Sequence, residues 1–226
     1  MSTGERFETK FVFAGAEVND AAHWLTQHRG LRIEHPPRLV HSIYFDTATL
    51  TFANASVNGE LQRSKPRLRW YTLPSGICFY PTEVKLELKI KCGACGTKRR
   101  VVAGHLGEDP GTMLANGMRL GMPDPAFRAM ATQPLFQTLH VIYHRSYFVG
   151  NQGVRITLDT DLCFTKPQTY ARYNETIPSL LSIIEVKFDP SDTGTAEQLL
   201  STLQTSPMRF SKYLRGLHEL SIYSPS

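Results

Sequence analysis

"EVKLELKIK", residues 83–91, places Glu83, Lys85, Glu87, Lys89 and Lys91 at the odd positions and Val84, Leu86, Leu88 and Ile90 at the even ones. A period of two is the signature of a β-strand with one charged and one apolar face. The question the stretch raises is what the charged face meets. Water is the plain answer; an anionic ligand inside a barrel is the sharper one.

The pattern recurs along the chain. Arg67, Arg69 and Tyr71 alternate with Leu68 and Trp70. Tyr143, Arg145 and Tyr147 share one parity, as do Arg155, Thr157 and Asp159. Glu185, Lys187 and Asp189 oppose Ile184, Val186 and Phe188, and Arg6, Glu8 and Lys10 oppose Phe7, Phe11 and Phe13. An antiparallel sheet with one solvated face gives such alternation by itself. Here, however, the polar positions are mostly Arg, Lys and Glu rather than Ser, Thr, Gln and Asn. Strands are predicted over 6–13, 38–47, 66–73, 82–91, 97–103, 139–150, 154–165 and 182–189. About eight strands with short turns, one of them at Asn151–Gly153, point to an antiparallel barrel or sandwich. Helices are predicted over 19–28, in one or two pieces within 111–132, over 195–204 and over 211–223, the last capped by Ser211. The fold class is α+β, with helices around the sheet, in a single domain over residues 1–226.

If the strands close with their apolar faces outward, the interior holds many cations and fewer carboxylates. Unpaired charge in a dry interior costs several kcal/mol, so the lumen stays wet or takes up a polyanion. Arg forks and Lys ammonium groups suit phosphate oxygens. A carboxylate pair such as Glu87 and Glu185 can hold a hard divalent cation, which in turn bridges phosphates.

Composition agrees with this and limits the alternatives. The 226 residues carry 25 Lys and Arg against 20 Asp and Glu, a net charge of +5. That bias admits nucleic acid, phosphate-rich small molecules or anionic lipid. No apolar run of about 18 residues is present for a spanning helix, and "MSTGERFETKFVF" (1–13) lacks a signal-peptide layout, so a cytoplasmic location is expected. Cys92 and Cys95 form "CGAC", half of a zinc site or a redox pair at best, and read as a hairpin connection. Asn54 and Asn174 begin glycosylation sequons without meaning away from the secretory route. No Walker glycine loop and no Ser-His-Asp or Cys-His arrangement is seen. His41, His144 and His218 read as packing or surface residues, Lys85 as solvent-facing, Asp159 as a turn cap, Asp46 as a turn or helix cap, and Tyr213 and Leu217 as core.

The segments "RFETKF" (6–11), "SIYFDTATL" (42–50), "RLRWY" (67–71), "LELKIK" (86–91), "YHRSYF" (143–148), "RITLDTDL" (155–162), "IIEVKFD" (183–189) and "RFSKYLRGL" (209–217) occur in this order. Together they resemble the polyphosphate polymerase domain of the vacuolar transporter chaperone type, in the triphosphate tunnel metalloenzyme superfamily. The resemblance implies a closed antiparallel β-barrel whose tunnel is lined by basic residues. It implies transfer of the ATP terminal phosphoryl group to a growing polyphosphate chain, with Mn2+ or Mg2+. By the same resemblance, Lys89, Arg145, Glu185 and Lys212 are the catalytic residues. Lys10, Arg67, Arg69, Lys91, Arg99, Tyr143, Lys187 and Ser211 contact substrate, and Glu185 with Glu87 holds the metal. Alternation allows Arg99 alone, or Lys98 with Arg100, to point inward. Hydrolytic members resemble Glu-x-Glu-x-Lys on the first strand; Arg6-x-Glu8-x-Lys10 replaces one carboxylate by a cation, which suits the polymerase branch. The chain is expected to be a stand-alone version without regulatory or membrane domains. The readings set against polymerisation are a tunnel triphosphatase, a non-catalytic polyphosphate- or nucleotide-binding module, and a nucleic-acid binder stacking bases on Tyr143, Tyr147 and Trp70. A closed barrel excludes the duplex, and Trp70 falls on the apolar face.

Overall fold

Among the described residues, alternating sequence becomes a sheet of nine strands accompanied by six α-helices in the computed structural model. The structure describes residues 7–15, 17–28, 30–77, 82–93, 95–150, 153–167, 176–203 and 205–223, with Cys95 described by its backbone alone. Arg6, Cys78, Asn151 and Asn174 lie outside the described residues. The strands are β1 (Phe7–Ala14), β2 (Arg32–Asp46), β3 (Gln62–Thr72), β4 (Glu83–Cys92), β5 (Cys95–His105), β6 (Phe136–Val149), β7 (Arg155–Thr165), β8 (Thr176–Pro178) and β9 (Leu181–Phe188). The helices are α1 (Glu17–Gln27), α2 (Thr51–Val57), α3 (Pro110–Gly121), α4 (Pro125–Ala131), α5 (Thr193–Leu200) and α6 (Lys212–Glu219).

The strand order is β1-β9-β7-β6-β2-β3-β4-β5, with β8 beside β7. This corrects the expected closed barrel: β1 and β5 end the hydrogen-bonded path, and among the described residues no ladder joins them. Backbone groups on both end strands are engaged in another way. The Lys10 carbonyl accepts from the Met208 N–H at 2.9 Å, and the Ala103 carbonyl accepts from the Asn116 side chain at 3.3 Å.

Contacts gather into two units. The first comprises Met1–Leu39, Tyr143–Leu162 and Pro178–Phe210; the second comprises Val40–Ile142, Cys163–Ile177 and Ser211–Ser226. Each has its own core. In the first, Phe11, Phe13, Ile156, Leu158, Ile184, Val186 and Phe188 form the apolar side of β1, β7 and β9, and Leu25 of α1 and Leu199 of α5 pack with them. In the second, Ile43, Phe45, Leu68, Trp70, Leu86 and Leu88 meet Met113 of α3 and Phe127 of α4. Both of those helices open on an aspartate cap followed by proline: Asp109 accepts from Thr112 N–H and Asp124 from Ala126 N–H. Gly117 lets α3 lie directly on the sheet, since a Cβ there would come within 2.8 Å of the Leu86 side chain. With helices over the apolar face, the charged face of β3–β5 is turned the other way.

The CGAC stretch is the hairpin between β4 and β5, with Cys92 opposite Cys95 in register. One helix escaped the periodicity argument. "TFANASV" has no amphipathic stripe, and α2 forms because buried Asp46 accepts from the Phe52 and Ala53 N–H groups, both at 2.9 Å. The cap expected at Asp46 is therefore present, several residues upstream of the helix it serves. β2 also starts earlier than predicted, because Pro36 and Pro37, whose fixed φ suits extended chain, continue the strand instead of interrupting it. Among the described residues, no helix is long and apolar enough to cross a membrane.

Candidate functional site: two charged clusters

Register decides which charges share a face. Across β3 and β4, Arg63 pairs with Lys91, Lys65 with Lys89, Arg67 with Glu87 and Arg69 with Lys85. Across β4 and β5, Glu87 pairs with Arg100 and Lys89 with Lys98. The second unit thus carries a row Lys65–Lys89–Lys98 of three lysines directly opposite one another, flanked by Arg63 and Lys91 on one side and Arg67 and Arg100 on the other. Like charges placed opposite in an antiparallel ladder oppose folding. Glu87 is the one carboxylate among these register partners from Lys85 to Lys91.

Glu87 is nearly fully buried, and cations surround it. Arg67 donates from Nε and Nη2 to its Oε2 at 3.0 and 2.8 Å, and Lys98 donates to Oε1 at 2.9 Å. Arg69 Nη1 stands 3.8 Å from Oε2. Burial raises its carboxyl, but Arg67, Arg69 and Lys98 outweigh that and hold it well below the usual carboxylate range. The structure therefore shows the expected metal ligand Glu87 with both oxygens taken up by cations. Lys85 pairs with Glu83 at 3.4 Å near the strand end, in keeping with the solvent-facing reading. Arg99 is not brought to this cluster. It sits opposite Leu88, on the other face, and pairs with Asp124 of α4 at 2.9 Å. Of the two open options, the alternation resolves to Lys98 with Arg100.

The start of α6 belongs to the same unit. Ser211 caps it, accepting from the Leu214 N–H, and its Oγ also accepts from Lys65 Nζ at 2.8 Å. Lys212 is the first helical residue. Tyr213 is buried, as expected of a core residue, and its hydroxyl donates to Asp46 Oδ2 at 2.6 Å. Sequence reading did not single out Tyr44 or Ser42, yet both lie on the charged face: Arg67 Nη1 donates to the Tyr44 hydroxyl at 3.1 Å, and Arg69 Nε and Nη2 donate to Ser42 Oγ at 3.1 and 3.0 Å. Their parity with Asp46 in "HSIYFDT" was the available signal. A cavity of about 440 Å³ lined by Thr47, Leu50, Phe136, Thr138 and Lys166 also opens in this unit, but Lys166 is its one charged lining residue, a poor match for a polyanion.

The first unit holds a different arrangement. On the β1–β9 ladder Glu8 pairs with Lys187 and Lys10 with Glu185, so carboxylates and ammonium groups alternate. Lys10 Nζ is 2.6 Å from Glu8 and 4.0 Å from Glu185; Lys187 Nζ contacts Glu185 and stands 4.0 Å from Glu8. Lys10 also donates to the Phe210 carbonyl at 3.4 Å. Thr157 pairs with Glu185 in register, and its buried Oγ1 has no hydrogen-bond partner among the described residues. Beside this set, Arg145 donates from Nε and Nη2 to the two oxygens of Asp159 at 2.6 and 2.7 Å and lies 5.3 Å from the Tyr143 ring centroid. Burial works against the Arg145 charge, but Asp159, Tyr143 and Glu185 hold the guanidinium firmly protonated. Asp159, expected as a turn cap, is instead the fully buried partner of Arg145.

Among the described residues no group of three or more His, Cys, Asp or Glu forms a metal cage. Glu185 and Glu8 nevertheless supply hard oxygens that already hold two ammonium groups between them. That donor set is of the hard-oxygen kind a divalent cation takes up through one or two carboxylates.

The VTC domain family model matches residues 5–110 and 122–221. No curated protein sequence matches. Among solved structures, a Pyrococcus horikoshii protein is 16% identical with a TM-score of 0.52, covering 96% of this chain and 98% of its own. An adenylyl-cyclase-like protein from Hippeastrum, described as having a dominant triphosphatase activity, is 14% identical with a TM-score of 0.53, covering 95% and 96%. An adenylate-cyclase-like protein from Vibrio parahaemolyticus is 13% identical with a TM-score of 0.51, covering 96% and 99%. At these identities the likeness is one of fold.

Proposed function

The chain belongs to the VTC domain family, and from that premise we propose that it is a metal-dependent polyphosphate polymerase, moving the terminal phosphoryl group of ATP onto a polyphosphate chain and releasing ADP. The observation that carries this reading is the Lys65–Lys89–Lys98 row with its Arg-rich flanks and the single carboxylate Glu87. Opposed cations are stabilised by an anion with closely spaced negative charges, and a chain of phosphates supplies them at short regular intervals.

Arg67 and Arg69 grip phosphate oxygens through their forks, and Lys89 and Lys91 extend the contact as point charges. Ser211 and Lys212 hold the transferred phosphate at the start of α6, where free N–H groups favour an anion. In the first unit Arg145, oriented by Asp159 and Tyr143, offers a guanidinium to phosphate, and Lys10 and Lys187 offer ammonium groups beside Glu185. A Mg2+ or Mn2+ ion held by Glu185 would offset charge on the phosphate oxygens. Phosphoryl transfer asks mainly for positioning and charge stabilisation, so the lack of a side-chain nucleophile in the two clusters is no obstacle.

A second reading, hydrolysis of inorganic or nucleoside triphosphate, is favoured by the shared fold of the Hippeastrum protein with its triphosphatase activity. One assay separates the two. The protein is incubated with ATP and Mn2+ or Mg2+, and ADP, free phosphate and polymer on a gel are followed together. Polymer with stoichiometric ADP supports polymerisation. ADP and free phosphate without polymer would replace it by the triphosphatase.

A further inference from the structure

We propose that Tyr44 is a further phosphate-binding residue of the second unit, its phenol donating a hydrogen bond to an oxygen of a phosphate gripped by Arg67. The inference rests on the reading of the β3–β5 face as a phosphate site and adds a ligand that its basic residues do not announce.

The direction of the existing hydrogen bond is the first argument. Arg67 Nη1 donates to the phenol oxygen, so Tyr44 is the acceptor in that bond. Its own proton finds no acceptor among the described residues. The charged groups that face it are Arg67 and Arg69 from β3 and Lys212 from α6, all of them donors. Glu87 lies beyond Arg67, with Oε2 engaged by Arg67 and Oε1 by Lys98. Tyr213 of α6 directs its hydroxyl to Asp46, and Thr138 of β6 donates to the Tyr44 backbone carbonyl. A phenol buried to 5% exposure with an unsatisfied proton calls for an acceptor. In a pocket of cations, that acceptor is an oxygen of an anion.

The phenol is also rigidly held. The Tyr44 ring stacks on that of Tyr213, with centroids 5.0 Å apart and planes 19° from parallel. Tyr213 is fixed by its 2.6 Å bond to Asp46, and Asp46 accepts in addition from the Thr47, Phe52 and Ala53 N–H groups. The phenol is thus held in one orientation beside Arg67 before any ligand arrives, and binding needs no further ordering of this side chain.

The electrostatics point the same way. Burial pushes the phenol up, but Arg67, Arg69, the Arg67 hydrogen bond and Lys212 bring it down to about 8. An empty site therefore draws negative charge to the Tyr44 oxygen. A phosphate bound among the same cations takes over that role and restores the neutral phenol as a donor.

The test uses the full chain and inorganic tripolyphosphate as probe. Calorimetric titration at pH 7 compares the wild type with Tyr44→Phe, and ultraviolet difference spectra at 295 nm follow phenolate formation from pH 6.5 to 9.5 with and without the probe. The expected results are a Kd raised about 5- to 10-fold by Tyr44→Phe, the net worth of one ordinary hydrogen bond, and a wild-type phenolate transition near pH 8 that moves upward when tripolyphosphate is bound. The spectral arm needs no variant, so it stands even if Tyr44→Phe folds poorly. Unchanged affinity in the variant, or a phenolate transition that ignores the probe, overturns the assignment of Tyr44 while leaving the phosphate site intact. Failure of the wild type to bind tripolyphosphate removes the phosphate site, and Tyr44 with it.

Discussion

Replacing Glu87 by Gln separates two roles that the same carboxylate has been given. As a metal ligand, Glu87 would lose metal and activity on substitution, with little change in the free protein. As the buried counter-ion that the structure shows, it holds Arg67 at 2.8 Å and Lys98 at 2.9 Å, with Arg69 at 3.8 Å. Removing one member of a buried pair leaves the other charges uncompensated, at a cost of about 3–5 kcal/mol. Because the Gln carbonyl still accepts a hydrogen bond, the lower end, about 3 kcal/mol, is expected. For a chain of this size that is a fall in Tm of about 6–12 °C. Affinity for tripolyphosphate should move in the opposite direction, because the cations lose their internal competitor; a gain of about tenfold corresponds to about 1.4 kcal/mol. Thermal unfolding with and without tripolyphosphate, in the absence of divalent metal, reads both quantities. The pH dependence follows from the depressed carboxyl. Its contribution is complete above the unfolded value near 4.5 and is lost as pH falls through the lower folded value. The wild-type advantage should therefore be constant from about pH 5.5 to 8 and shrink in more acidic buffer. A variant as stable as the wild type, with weaker rather than stronger anion binding, would refute the counter-ion argument.

Other perturbations test neighbouring parts of the reasoning. Lys89→Ala should weaken tripolyphosphate binding about tenfold and Lys85→Ala hardly at all, since Lys89 lies in the three-lysine row and Lys85 at the strand end beside Glu83; equal small effects in calorimetry would return this face to a solvated surface. Glu185→Gln should abolish metal-stimulated turnover yet leave metal-free polyphosphate binding within a few-fold, measured by ADP release and by titration; turnover near the wild-type level would remove Glu185 from the metal site. Gly216→Ala forces a Cβ to within 2.6 Å of Leu139 and Phe164, an overpacking that should cost about 1–3 kcal/mol and lower Tm accordingly, and an unchanged Tm would show that α6 is free to shift. His41 stacks on Trp70, His140 packs tilted against the same ring, and both, lowered by burial to about 4, stay neutral in the folded chain. The unfolded chain takes up protons near 6.5, so stability should fall between pH 6.5 and 4 by at most about 1.4 kcal/mol per pH unit per histidine; denaturant melts of a His41→Phe/His140→Phe variant with an unflattened acid limb would contradict this.

The strands and the charged parity of their residues were legible in the sequence because alternation is a local property, repeated over eight segments. What lay beyond reach was set by register, edge pairing and the reach of single side chains, none of which alternation encodes. The choice among Lys98, Arg99 and Arg100 depended on the register of β5 against β4, fixed by the hairpin that places Cys92 opposite Cys95. Closure into a barrel depended on whether β1 and β5 would pair, and Met208 and Asn116 engage their carbonyls instead. The helix α2 depended on Asp46 reaching its first N–H groups from the end of β2.

The same limit explains why Tyr44 and Glu87 changed meaning together. Alternation showed a basic face by residue type, and the family resemblance then named Arg67, Arg69 and Lys89 on it. A tyrosine in "SIYFD" reads as core, and a glutamate between lysines reads as a metal ligand, until hydrogen-bond direction is known. Arg67 resolves both, because its guanidinium is shared: Nε and Nη2 go to Glu87 and Nη1 to Tyr44. The Glu87 pair locks the guanidinium plane, and the bond to Tyr44 leaves the phenol proton to a ligand. Glu87 holds Arg67 and Lys98 together without substrate, and on the proposed reading external phosphate completes the site. Its free-state stability and its anion affinity therefore respond to Glu87 with opposite sign.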